Sequence, residues 1–124
     1  MALTTLKVPL NKNEAVGRLD RDSDVSGANA QVIVTTPVGA PRRLIGAFAV
    51  YSAAPTQTGV IIEIDSRLGA GGDFPLLTGT ANARYTSYIP TDDLILPDDD
   101  AIRVTAPAGG VGITSTVYIL TEVM

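Results

Sequence analysis

Residues 42–51 read Arg-Arg-Leu-Ile-Gly-Ala-Phe-Ala-Val-Tyr, and this run decides the fold class. Its apolar stretch, residues 44–50, is far too short to cross a bilayer as a helix. It lies between Pro41 and Pro55 and is rich in residues that suit a pleated surface. Side chains alternate along a strand. Leu44, Gly46, Phe48 and Val50 therefore fall on one face, and Ile45, Ala47, Ala49 and Tyr51 on the other. Both faces are apolar, whereas a sandwich strand ordinarily keeps one wet face. Two readings follow. A loop or the N-terminal segment covers the second face, or that face is a subunit interface at which the small Ala47 and Ala49 allow close approach.

Outward from this strand the pattern repeats. Twelve glycines and eight prolines punctuate the chain at short intervals, and the segments between them are rich in Val, Ile, Thr and Tyr. No stretch carries apolar residues at helical spacing over three turns. Strands are predicted over residues 3–10, 31–36, 42–51, 59–65, 84–89, 93–96, 101–106 and 111–123, with a weaker segment at 74–77. In the last strand Val111, Ile113, Val117, Ile119 and Val123 share a face. About eight short strands with turn signals between them predict an all-β chain, an antiparallel β-sandwich of jelly-roll type.

At 124 residues the chain is one domain. Residues 1–29 read as an N-terminal strand or arm followed by a polar loop, and residues 30–124 as the sandwich core. The arm either orders on a neighbour, by adding a strand to its sheet, or packs locally as a first strand. Its apolar side, Leu3, Leu6, Val8 and Leu10, joins Ile45, Ala47, Ala49 and Tyr51 as the candidate contact surface.

Composition excludes several functions. Hydrophobic residues make up 45% and charged residues 18%, a folding rather than a disordered balance. Nine basic residues are scattered among thirteen acidic ones, for a net charge of −4. Nucleic acid and anionic membrane surfaces, which bind clustered Lys and Arg, are not expected partners. Residues 1–10 show neither a basic nor an apolar targeting region, so synthesis in the cytoplasm is expected.

The chain has no histidine and no cysteine. The usual general base, thiol nucleophile, thiolate metal site and disulfide are thereby absent. No cofactor and no enzymatic activity are expected. Glu63 and Asp65 lie two apart on one strand face. They read as solvent-facing charges, or as a carboxylate pair of the kind glycosidases use. Asp20, Asp22 and Asp24 have the alternating spacing that opens a calcium loop, yet Val25 and Gln31 stand where an EF-hand needs glycine and glutamate. A looser calcium site stays open there and at Asp98 and Asp100, where a tight turn after Pro97 is the competing reading. Gly69-Ala70-Gly71-Gly72 lacks the Gly-Lys-Ser/Thr ending of a phosphate loop and reads as a turn. For a carbohydrate site, Tyr51, Tyr85, Tyr88 and Tyr118 are the candidate platforms, with Tyr85 and Tyr88 on opposite faces of one strand.

The C-terminal third carries a resemblance. Residues 85–90 read Tyr-Thr-Ser-Tyr-Ile-Pro, residues 93–97 Asp-Leu-Ile-Leu-Pro, and residues 99–106 Asp-Asp-Ala-Ile-Arg-Val-Thr-Ala, followed by a glycine-rich turn and a closing strand ending in Glu122-Val123. This resembles small β-sandwich structural proteins of tailed bacteriophages, particularly head decoration (capsid-stabilising) proteins. The resemblance implies a homo-oligomer, a trimer by preference, that binds the viral major capsid protein on the virion surface. The alternative is a receptor- or glycan-binding module of a virion fibre or spike.

Overall fold

The computed structural model describes residues 4–9, 16–24, 29–36, 39–56, 59–97 and 99–123. Among them are ten strands: β1 (Thr4–Pro9), β2 (Val16–Asp24), β3 (Ala30–Thr35), β4 (Arg42–Tyr51), β5 (Ile61–Asp65), β6 (Phe74–Thr78), β7 (Tyr85–Tyr88), β8 (Ile95–Leu96), β9 (Ala101–Ala106) and β10 (Ser115–Val123). One short 3-10 turn, Ala70–Gly72, precedes β6. The first sheet has the order β1-β2-β10-β4-β7, with β8 also on β4; the second has β3-β9-β5-β6. Every pairing is antiparallel.

The pairs are nested: β2 with β10, β3 with β9, β4 with β7, β5 with β6. The chain is thus one long hairpin whose closed end is the β5–β6 connection. It is wrapped so that successive pairs lie in opposing sheets. This is the jelly roll that the spacing of short strands predicts. β1 extends the first sheet beyond it, and β8 prolongs the β7 side.

Alternation builds the core. Val32 and Val34 from β3, Ile102 and Val104 from β9, and Ile62 from β5 face Ala47, Ala49, Val117 and Ile119, all within 3% of complete burial. Leu44, Tyr51, Val60 and Leu96 complete it. At about 25 cal/mol per Å² of apolar surface removed from water, this is the main stabilising term.

Two expectations are corrected. The polar loop predicted over residues 11–29 contains β2, a nine-residue strand held between β1 and β10. Its register comes from two neighbours, not from apolar alternation, since only Val16 and Leu19 are sizeable hydrophobics in it.

The second correction concerns β4. Thr121 of β10 pairs with Leu44, but its neighbour Leu120 pairs with Gly46, so Ile45 is an extra residue in the ladder. A bulge of one residue reverses side-chain parity beyond it. Arg42 and Leu44 point inward before the bulge; Ala47, Ala49 and Tyr51 point inward after it. The expected interface residues Ala47, Ala49 and Tyr51 are therefore core, and Phe48 and Val50, assigned to the core side, stand half-buried on the outside. Leu6 and Val8 lie on β1, which pairs within its own chain; Leu3 and Leu10 fall outside the described residues.

Candidate functional site

With parity set by the bulge, the ladder registers define three outward rows on the first sheet. They are Leu19–Leu120–Gly46, Arg21–Tyr118–Phe48–Ser87 and Ser23–Thr116–Val50–Tyr85. Leu19, Leu120, Phe48, Tyr118 and Val50 are each half-buried. Gly46 explains how Phe48 is held. A Cβ built on Gly46 would stand 2.5 Å from Cζ of Phe48, so the ring lies over the backbone of Gly46, in space only a glycine leaves vacant. Tyr118 is its cross-strand partner. At the end of the face Tyr85 is exposed, with the guanidinium of Arg84 5.2 Å from its ring centroid. Arg84 is fixed in turn by donating Nε–H to the carbonyl of Tyr51 at 2.9 Å.

Beside the ring of Phe48 the sheet edge opens. β7 ends at Tyr88 and β8 begins at Ile95, both on β4. The intervening segment bows away opposite the bulge and is tied back by the N–H of Leu44 donating to the carbonyl of Leu94 at 2.9 Å. The resulting open cleft, about 510 Å³, is lined by Arg43, Leu44, Ile45, Pro90, Thr91, Asp92 and Asp93. Nη1 of Arg43 bonds Oε1 of the buried Glu122 at 2.9 Å, and its Nε stands 3.8 Å from Oδ1 of Asp93. Ile45, which unlike Ala47, Ala49 and Tyr51 is not core, forms a wall of this cleft.

The other sequence candidates are placed as follows. Glu63 and Asp65 point outward from the second sheet, as the alternation predicts. With Asp73 they surround Arg103, whose Nη2 lies 2.5 Å from Glu63 and 3.3 Å from Asp73, and whose Nη1 lies 3.7 Å from Asp65. The hydrogen bond that this guanidinium donates to Glu63 raises its pKa above its ordinary value, so the cation is fixed. A hydrolytic pair needs one carboxyl that holds a proton and room for substrate between the two. Here the carboxylates share one arginine instead.

Asp20 and Asp22 are buried strand positions of β2, not loop ligands. Asp20 takes Nε–H of Arg18 at 3.0 Å, and Oδ1 of Asp22 accepts the N–H of Ser23. Asp24 ends the same strand. Among the described residues no three acidic side chains gather as a metal site. Asp98 lies outside them. Asp100 serves a turn. Its N–H donates to Pro97, its carbonyl accepts N–H and Oγ1–H of Thr36, and its Oδ1 accepts the N–H of Arg67, while Asp99 takes the left-handed φ of 70°. Gly69 (φ 93°) and the 3-10 turn after it likewise close a turn.

Of the tyrosines, Tyr51 is buried with its hydroxyl donating to the carbonyl of Pro107 at 2.6 Å, and Tyr88 packs on the core. Tyr85 and Tyr118 remain on the outer face. Alternation alone missed Phe48, Arg21 and, Ile45 apart, the lining of the cleft. The signal that finds Phe48 is Gly46, a lone glycine inside a strand, which marks a bulge or a close approach.

No family model matches the chain, and no curated protein matches it. The solved structures similar to it include two carbohydrate-binding modules. One is described as a low-affinity xylan-binding module, CBM86, from Roseburia intestinalis. It is 11% identical, with 99% of this chain and 86% of that chain covered and a TM-score of 0.37. The other is described as a family 16 carbohydrate-binding module. It is 14% identical, with 98% and 84% covered and a TM-score of 0.38.

Proposed function

We propose that the chain is a non-catalytic binding module that holds a carbohydrate on the outer face of its first sheet. The observation that carries this is the ring of Phe48 seated over Gly46 beside Tyr118. The C–H faces of sugar rings pack on aromatic rings, and sugar hydroxyls need polar groups around them. Arg21 and Ser87 share the row of those rings, and Ser23 and Thr116 lie in the next row. Because Phe48 is already held by the backbone, little side-chain freedom is lost on binding.

The test is affinity electrophoresis against a panel of soluble polysaccharides, followed by calorimetry on those retained. Phe48→Ala raises Kd at least about tenfold, worth about 1.4 kcal/mol. Gly46→Ala weakens binding too, because its methyl displaces the ring. Absence of binding across the panel, or an unchanged Kd in both variants, refutes the proposal.

A second reading is that the chain is a virion structural protein, oligomeric and docked on a viral capsid. The resemblance of residues 85–123 supports it. So does the position of β1 at the end of the first sheet, where among the described residues its outer edge has no strand partner; such edges take up strands from neighbours. Light scattering after size exclusion, with calcium and with chelator, tests it. A stable trimer that sediments with capsids supports this reading, and a monomer that leaves capsids unbound refutes it.

A further inference from the structure

The cleft at the β4 bulge adjoins the Phe48 platform, since Ile45 lines it and the Phe48 ring covers the next residue, Gly46. Its charge is unbalanced in one direction. The positive charge of Arg43 is taken by Glu122 at 2.9 Å, whose side chain is only 9% exposed and cannot turn to solvent. Asp92 and Asp93 are both exposed, and Asp93 approaches Arg43 only to 3.8 Å, beyond hydrogen-bond distance. Two carboxylates thus remain as surplus negative charge, with Thr91 and the apolar Ile45 and Pro90 sharing the lining. Such a lining accepts hydrogen bonds from hydroxyl or ammonium groups and repels a carboxylate. The net charge of −4 acts in the same sense over longer range.

We propose that this cleft is a specificity-determining subsite that admits a neutral or amino sugar beside the one on Phe48 and turns away a carboxylated one. The inference rests on the carbohydrate-binding reading above and adds the class of sugar selected. Asp92 and Asp93 act by charge, and Ile45 and Pro90 give the ring a surface to pack on.

The experiment takes the neutral polysaccharide that binds best and the same polymer with part of its primary hydroxyls oxidised to carboxylates. Kd is measured for the unaltered chain and for the Asp92→Asn, Asp93→Asn double variant at low and high salt. Oxidation weakens binding by the unaltered chain about tenfold or more at low salt and less at high salt, where surface charges are screened beyond roughly 3–8 Å. The double variant loses most of the discrimination, read as the ratio of its Kd values for the two polymers. If the unaltered chain binds both polymers equally, or the double variant discriminates just as strongly, the inference is overturned while carbohydrate binding stands. If no polysaccharide binds, the functional reading itself fails, and this inference with it.

Discussion

On the outer face of the second sheet Arg103 stands among Glu63, Asp65 and Asp73, flanked by Thr105 and Gln31. On the outer face of the first, the middle rows carry Leu19, Leu120, Phe48, Tyr118 and Val50. Both sheets contribute apolar side chains to one core, the first burying Asp20, Asp22 and Arg42 as well. The second sheet keeps its outer face largely polar, with threonine, glutamine and the ion-pair network around the exposed Ile33 and Ile61. Half-buried aromatic and aliphatic groups on the other face add nothing to the core and are the kind of surface that marks binding. The contrast also shows why parity along β4 matters: one inserted residue decides which of two apolar sets is presented outward.

The largest expected effect comes from the two neighbours that the bulge sends to opposite sides. Ala47 is fully buried, so Ala47→Asp places an unpaired carboxylate in the core. It costs at least about 4 kcal/mol, enough to unfold a domain of ordinary stability. Phe48→Asp, one residue on, costs about 1–2 kcal/mol and leaves a cooperative urea transition. If circular dichroism finds the Ala47 variant folded and the Phe48 variant unfolded, the parity assigned to β4 is wrong.

On the second sheet, Arg103→Met leaves Glu63, Asp65 and Asp73 facing one another without their cation. A loss of about 1–2 kcal/mol is expected at low salt, shrinking as salt screens the partly exposed carboxylates. Urea titrations at two ionic strengths check it. A variant as stable as the parent at both would mean that this face is held by its ladders alone.

The smallest effect is at Tyr51. Its hydroxyl bond to Pro107 makes Tyr51→Phe about 1 kcal/mol less stable near neutral pH. Burial also pushes the phenol above its ordinary value of about 10. The folded chain therefore keeps a proton that the unfolded chain gives up. The stability linked to that proton is complete below the unfolded value and is lost as pH rises through the folded one. The parent should lose stability more steeply above about pH 10 than Tyr51→Phe does. Parallel decline of the two would show that Tyr51 ionises as easily in the fold as outside it.

The bounds of β4 and β9 coincide with the predicted segments, because alternation and flanking proline or glycine mark both ends. β8 is shorter than its prediction, and the last strand begins at Ser115, after a turn in which Val111 is fully exposed. β2 was not legible. Val-Gly-Arg-Leu-Asp-Arg-Asp-Ser-Asp has no apolar period, and its pairing comes from β1 and β10. Its buried Asp20 meets Arg18 on the same strand, a contact that depends on both side chains turning to one face. Phe48 was not legible as a surface residue because β4 is apolar on both faces, so either parity satisfies alternation. The cleft was invisible too, since it joins residues 43–45 to residues 90–93 across a gap between two edge strands.

The sequence by itself determined the class: short β-rich segments, glycine and proline punctuation, no helical period, and no histidine or cysteine from which the commonest catalytic sites are built. These are local properties, set by backbone preference and side-chain chemistry within a few residues. Tertiary structure decided which side of β4 faces water, because the pairing of Gly46 with Leu120 and Leu44 with Thr121 fixes the bulge, and that pairing spans more than seventy residues of chain. Side-chain direction in a strand repeats every two residues, so a shift of one in a long-range register exchanges inside for outside and changes what the protein can bind.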